Sequence, residues 1–242
     1  MRMKEDHMQN GQLKPGYNIQ AGTENGFVTS YALYPNPTDT RTLLPHLKSF
    51  RDQFGAYPEN LIADKGYSSL ENYKQLEESN IKAFIKYQHW DQEKQKRSKK
   101  YRYRYWRFQY NAEQDCMVCP EGEKLQFKGE HSRKYRSGRI DYYRTYEGKT
   151  CMQCSVRNKC TTSENRTVQI NLERLRLNQR AREQLETPEG RQLYRRRKFE
   201  IETVFGQIKG NQQFRRFHGW GLSAASRDWG IHMIGYNIRR LM

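Results

Sequence analysis

The sequence has no apolar run approaching the roughly 20 residues that a membrane-spanning helix needs, so no transmembrane segment is expected. Its opening stretch, MRMKEDHMQNGQLKPG, is charged and lacks the apolar core of a secretory signal. Negative charge is scarce: 27 Asp and Glu stand against 44 Lys and Arg, leaving a formal net charge of +17. An excess of that size argues for a polyanionic partner, and nucleic acid fits best. Cysteine is limited to five residues, mostly in CxxC pairs. Without a secretion signal, that usage points to a reducing compartment and a metal rather than disulfides, and a cytoplasmic location is expected. No internal repeat, long low-complexity tract or coiled-coil heptad is present.

What is there suffices for one good core, or one core with a small satellite module. Apolar content is only 35%, but 17 Tyr and 10 Phe offer large amphipathic faces. After a polar start that reads as loop, GYNIQAGTENGFVTSYAL alternates as two strands around Asn25-Gly26, a pair suited to the positive φ angles of a tight hairpin. A helix follows over Leu43, Leu44, Leu47 and Phe50, with Pro45 near its start and Gly55 at its end. Leu61 to Ala63 is a short buried strand that delivers Asp64 into a glycine turn. The segment SLENYKQLEESN is a helix capped by Ser68 or Ser69, and Ile81 to Tyr87 is another strand. This order predicts an α/β fold, a mixed sheet flanked by helices, with Asp64 at a strand's carboxyl end where functional groups gather.

Near residue 90 the character changes. A charged linker leads into a Cys-rich, aliphatic-poor region, and from Asn171 onward the pattern is helical. Three parts are expected: 1–90 as the first part of the core, 91–170 as a basic Cys-rich insertion, and 171–242 as the helical remainder.

In the helix around Glu202, Ile201, Val204, Phe205 and Ile208 form one apolar stripe, while Arg195, Lys198, Glu202 and Lys209 line its edge. A surface helix with i, i+4 charge pairs would look similar. Together with Asp64, however, Glu202 suits a magnesium or manganese site, because such ions take one or two carboxylates plus water and phosphate. Two ions about 4 Å apart serve phosphoryl transfer. A strand-end Asp and a distant helical Glu are what a metal-dependent nuclease or strand transferase on a ribonuclease H-like sheet needs.

The segments GQLKPGYNIQAGTENGFV, NPTDTRTLLPHL, ADKGYSSLENY, CMQCSVRNKC and RRRKFEIETVFGQIKGNQQFRRFHGWGL together resemble, over nearly the whole chain, the DDE transposases of bacterial insertion sequences, specifically the IS1182-type branch of the IS4/IS5-like group. The resemblance implies DNA cleavage and strand transfer at transposon ends, with Asp64 as the second catalytic Asp, Glu202 as the catalytic Glu, and Lys209 gripping phosphate. Arg195 and Lys198 fall where that family carries its Tyr and Arg. The family's first catalytic Asp belongs to a strand upstream of MRMKEDHM, so the chain is expected to be a truncated transposase with little catalysis of its own. DNA, both transposon ends and target, is the implied partner, with a homo-oligomer among the expected assemblies and a zinc-stabilised DNA-binding remnant as the competing reading.

Among the cysteines, Cys116 and Cys119 form one CxxC, Cys151 and Cys154 another, and Cys160 follows. Spacing alone favours the two pairs as a structural zinc site. The family pattern favours Cys119, Cys151, Cys154 and Cys160, with Cys116 as a substitute. Finally, KRSKKYRYRYWRFQY, residues 96–110, alternates basic and aromatic residues, as a strand with Tyr101, Tyr103 and Tyr105 on one face and Arg102 and Arg104 on the other would. The segment FRRFHGWGL offers Arg215 and Arg216 to a DNA backbone, while His218 reads as structural.

Overall fold

The computed structural model describes residues 2–5, 11–95, 99–135 and 138–242. The chain divides into two compact units, Met1–Lys86 with Ala181–Met242, and Tyr87–Arg180. The start is not all loop: β1 (Arg2–Glu5) pairs antiparallel with β2 (Leu13–Gly16), while Asp6 lies outside the described residues. Met3 and Leu13 stay exposed, so backbone pairing rather than an apolar face makes this ladder. A periodicity argument has no purchase on it.

Strands β3 (Asn18–Glu24) and β4 (Phe27–Tyr34) form the expected hairpin, turning through Asn25 at φ 52° and Gly26 at φ 83°. Helix α1 (Leu43–Phe54) accepts Pro45 in its first turn, where a backbone N–H has no helical partner to lose. It ends at Gly55, whose φ of 79° lets its N–H reach the Arg51 carbonyl at 2.7 Å. Next, β5 (Asn60–Ala63), α2 (Leu70–Glu78) and β6 (Lys82–Ile85) make a parallel β-α-β unit. Ser69, not Ser68, caps α2 by accepting the Asn72 N–H at 3.0 Å. The expected single mixed sheet is instead two separate pairs, β3–β4 and β5–β6. Among the described residues no strand hydrogen-bonds to both β3 and β5, so no ladder joins them.

The second unit holds α3 (Trp90–Lys94), β7 (Gln109–Asn111), β8 (Cys116–Val118), β9 (Lys124–Lys134), β10 (Ile140–Gly148), α4 (Arg157–Cys160) and β11 (Thr167–Ile170). Its strands form one antiparallel sheet in the order β11-β10-β9-β8-β7, over a core of Phe108, Met117, Leu125, Tyr146, Val168 and Ile170. The basic-aromatic segment is not a strand. Residues 96–98 lie outside the described residues, and the segment 99–107 holds two single turns, Lys99–Tyr101 and Tyr105–Arg107. Side-chain bonds bend it: Arg102 Nη2 and Tyr103 Oη donate to Glu121 at 3.0 and 2.9 Å, and Arg107 donates to the carbonyls of Gln92 and Glu93 at 2.7 Å each. Local hydrogen bonds of this kind outcompete a ladder that the segment has no neighbour to join.

Helix α5 (Leu172–Glu186) leads to α6 (Pro188–Gly206), a π-helical turn over Gln207–Asn211, and α7 (Gly221–Leu241). Thr187 caps α6 by accepting the Gly190 N–H at 2.9 Å, and Pro188 sits at the first helical position, where its fixed φ costs nothing. Helices α6 and α7 bury Val204, Ile208, Ala225, Trp229, Met233 and Tyr236 against Val28 and Leu33 of the hairpin. Asn237 closes the edge of β4 with its amide, accepting from Val28 N–H at 2.9 Å and donating to Val28 C=O at 2.8 Å. On the opposite face of α7, Ile231, Ile234, Ile238 and Leu241 are exposed.

Trp229 has no exposed surface, and its replacement by Ala should cost about 3–5 kcal/mol. Ile234→Ala on the exposed face should change stability by less than about 0.5 kcal/mol. Urea unfolding of the two variants checks the contrast, and equal losses would mean that the two faces have been assigned wrongly.

Candidate functional site

Asp64 stands where β5 ends and a single turn, Lys65–Tyr67, begins. One carboxylate oxygen, Oδ1, accepts the Lys65 N–H at 2.7 Å, and the carboxylate is exposed. The turn that carries it is clamped. Asn72, itself buried, donates to the carbonyls of Tyr67 and Thr40 at 2.8 and 3.1 Å, and Thr40 Oγ1 donates to the Gly66 carbonyl at 3.2 Å. Tyr67 Oη donates to Gln20 Oε1 of β3. Asp39 Oδ1 accepts from Asn18 at 2.8 Å and from Gln20 at 3.3 Å. Gly66 packs closely here, since a Cβ would come 3.1 Å from Asp39 Oδ2, which would have to shift by a few tenths of an ångström. Burial, then the charge of Asp39, pushes the Tyr67 hydroxyl well above its usual range, so it remains a donor at any physiological pH.

Across from this turn lies α6. Arg197 Nη1 is 3.9 Å from Asp64 Oδ2, with the guanidinium also 5.3 Å from the centre of the Tyr194 ring. Arg197 Nε is buried without a hydrogen-bond partner. Glu202 is exposed and has no hydrogen bond or ion pair among the described residues. It lies about 140° around the helix from Arg197. Lys209 lies in the π turn over Gln207–Asn211, with its Nζ 4.9 Å from the Phe205 ring. Arg195, Lys198, Arg215 and Arg216 are all exposed. Arg215 and Arg216 are turned outward because Phe214 and Phe217 on either side pack inward, Phe214 at 5.2 Å from Trp229 and Phe217 at 6.0 Å from Tyr17. His218 pairs with Asp228, Nδ1 to Oδ2 at 3.2 Å.

In the second unit, Cys119, Cys151, Cys154 and Cys160 line one cavity, while Cys116 does not. Cys116 belongs to β8 and is buried, whereas Met117 of the same strand faces the core and Cys119 lies beyond the strand in the turn to β9. Strand alternation therefore puts the two cysteines of this CxxC on opposite sides. Backbone N–H groups already point at sulfur: Glu121 N is 3.4 Å from Cys119 Sγ, and Arg166 N is 3.4 Å from Cys151 Sγ. Burial raises the Cys160 thiol; Arg166 opposes the rise, and the other three cysteines add to it. Among the described residues, no group of three or more His, Cys, Asp or Glu side chains stands close enough to hold an ion as it is.

A family described as Transposase DDE domain matches residues 118–242, just over half of the chain. The chain belongs to this transposase family. No curated protein and no solved structure matches it. The mixed α/β architecture is compatible with the family's fold. Membership makes DNA the substrate class and divalent metal ions the family's general cofactors. The matched stretch contains Glu202, Lys209 and the four cavity cysteines, whereas Asp64 and Cys116 lie outside it. No helix of the transposase, among the described residues, is long and apolar enough to cross a membrane.

Sequence reasoning missed Arg197, Tyr67, Gln20 and Asp39. For Arg197 a signal existed: it falls four residues before Ile201 and seven before Val204, within about 30° of the centre of the apolar stripe. The Tyr67–Gln20 pair joins residues 47 positions apart and has no local signature. Tyr67→Phe should leave the buried Gln20 carbonyl without its donor and lower stability by about 1–3 kcal/mol. Thermal unfolding measures this, and an unchanged midpoint would mean that the pair does not hold the turn.

Proposed function

We propose that this transposase is of the IS1182 type and cuts and joins DNA at insertion-sequence ends, with Asp64 and Glu202 as two of its metal-binding carboxylates. The observation that carries the reading is Asp64 itself, an exposed carboxylate on a clamped turn at a strand's carboxyl end, facing α6. Its oxygen donors have the hard chemistry that magnesium or manganese prefers. The third carboxylate belongs to a further strand that fits between β3 and β5. In support, β3 pairs only with β4 and β5 only with β6 among the described residues, and α6 packs against β3, β5 and β6.

Water attacks the phosphorus at the element end, the bond to the 3′-oxygen breaks and leaves a 5′-phosphate, and the freed 3′-hydroxyl attacks a target phosphodiester, whose own P–O3′ bond breaks to release a target 3′-hydroxyl. A divalent ion, when bound, supplies Lewis-acid stabilisation of the charge that develops on the phosphate. Arg197 and Lys209 hold phosphate oxygens, and the half-satisfied guanidinium of Arg197 is suited to this. Arg195, Lys198, Arg215 and Arg216 follow the backbone on either side. Homo-oligomers of the transposase have an uncovered apolar stripe on α7 available to bury. A DNA-binding remnant without chemistry is the second reading. It is favoured by the lack of any assembled group of three ligands among the described residues.

Nicking of an element-end duplex by the chain joined to a segment bearing the third carboxylate separates the two readings. Magnesium-dependent cutting that drops by about 100-fold or more in Asp64→Ala and Glu202→Ala is expected if the carboxylates act at the reacting phosphate. Cutting that survives both substitutions sinks the catalytic assignment, and no cutting at all leaves the remnant.

We also propose that the cysteine cavity closes around a structural zinc ion, which would draw its four thiols together. Four thiols line the cavity, two backbone N–H groups are ready to stabilise thiolate, and Gly148 leaves room that a Cβ, 2.6 Å from Cys151 Sγ, would take away. Cys119, Cys151, Cys154 and Cys160 are the proposed ligands. Elemental analysis should find about one zinc per chain. Cys160→Ser should release it and unfold the module, and Cys116→Ser should keep it. Full zinc content in Cys160→Ser would rule this ligand set out.

A further inference from the structure

The sheet of the second unit is built unevenly. Strand β8 pairs with β9 only over Lys124–Gln126, and β11 pairs with β10 only over Arg144–Glu147. Beyond those limits β9 and β10 continue together, residues 131–134 against 140–143, as a two-stranded ribbon with no third strand on either edge among the described residues. An isolated ribbon is marginally stable in water, so its persistence needs its own reason.

One face supplies that reason. His131, Arg133, Tyr135, Arg139, Asp141 and Tyr143 share it by register. The His131 and Tyr143 rings stack at 5.5 Å, Arg133 lies 5.4 Å from the Tyr143 ring, and Arg139 lies 4.4 Å from the Tyr135 ring. The hydroxyls of Tyr135 and Tyr143 are 3.0 Å apart, and Arg139 Nη2 reaches Asp141 Oδ2 at 3.1 Å. This ladder stiffens an element that has no core beneath it. The other face carries Ser132, Lys134, Ile140 and Tyr142; Tyr142 is 62% exposed and Ile140 46%. Lys134 is exposed there, and Arg133 is exposed on the ladder face.

A stiff ribbon about 13 Å long, cationic and carrying an uncovered tyrosine, has the dimensions and charge of an element that enters a DNA groove. We propose that the β9–β10 ribbon is a duplex-DNA-binding arm, with Arg133 and Lys134 on phosphates and Tyr142 against the groove wall. The inference rests on the transposase reading and adds a contact surface outside the carboxylate site. Segment 96–110 is the less suitable arm, because Arg102 and Arg107 are already committed to Glu121 and to backbone carbonyls.

The test is fluorescence anisotropy of the full chain with a labelled duplex of about 30 base pairs across a salt series. Arg133→Ala/Lys134→Ala should weaken binding roughly tenfold and flatten the log K against log salt slope by about two. Arg133→Lys/Lys134→Arg should restore the slope, and Tyr142→Ala should weaken binding without changing it. Wild-type affinity and slope in the alanine pair, with salt-sensitive binding intact in the parent, overturn the arm while leaving the transposase reading standing. A change in sedimentation with unchanged DNA binding also overturns it, because the ribbon then meets protein. No salt-sensitive duplex binding by the parent removes the DNA reading itself, and the arm with it.

Discussion

The roll of α6 about its own axis decides the rest of the candidate site. Val204 and Ile208 have no exposed surface, and both pack with Trp229 against the β3–β4 hairpin. Two buried side chains four residues apart leave a helix little freedom to rotate. With that roll set, position 197 continues the buried stripe toward the β5–β6 pair. An arginine there is half sequestered, and its guanidinium meets the Asp64 carboxylate at 3.9 Å. Glu202, on the flank, faces solvent. The exposed ion pair adds little stability. Its consequence is electrostatic: a cation and an anion face each other at the carboxyl end of β5.

The turn bearing Asp64 is held from three directions, by Asn72 of α2, by Thr40 and by Gln20 of β3. Such bonds between distant segments convert a flexible glycine turn into a fixed mounting for one carboxylate. The buried amides of Asn72 and Gln20 are satisfied in the same arrangement, so stability and positioning come from the same bonds.

In the second unit, strand parity has the corresponding role. Met117 faces the core, so Cys116 points away and Cys119 only regains the cavity side after the strand has ended. Of the two CxxC motifs, Cys151–Cys154 lies in a turn that presents both sulfurs to the cavity, whereas the other supplies only one. Cys160, which belongs to no CxxC, completes the set.

Much was legible in local sequence. Asn25-Gly26 announced a hairpin, Gly55 a helix end, and Asp64 a strand-end carboxylate, because each is governed by the dihedral preferences and capping needs of a few adjacent residues. The cluster of Glu202 with basic neighbours likewise comes from helical spacing. Tertiary structure alone decided that Arg197 on the apolar stripe meets Asp64, which cysteine is left out of the cavity, that residues 99–107 coil rather than extend, and that β9 and β10 outrun their neighbours. In each case the outcome depends on what a side chain packs against or bonds to far along the chain. A local pattern fixes how the backbone bends, but only long-range packing fixes where the bend points.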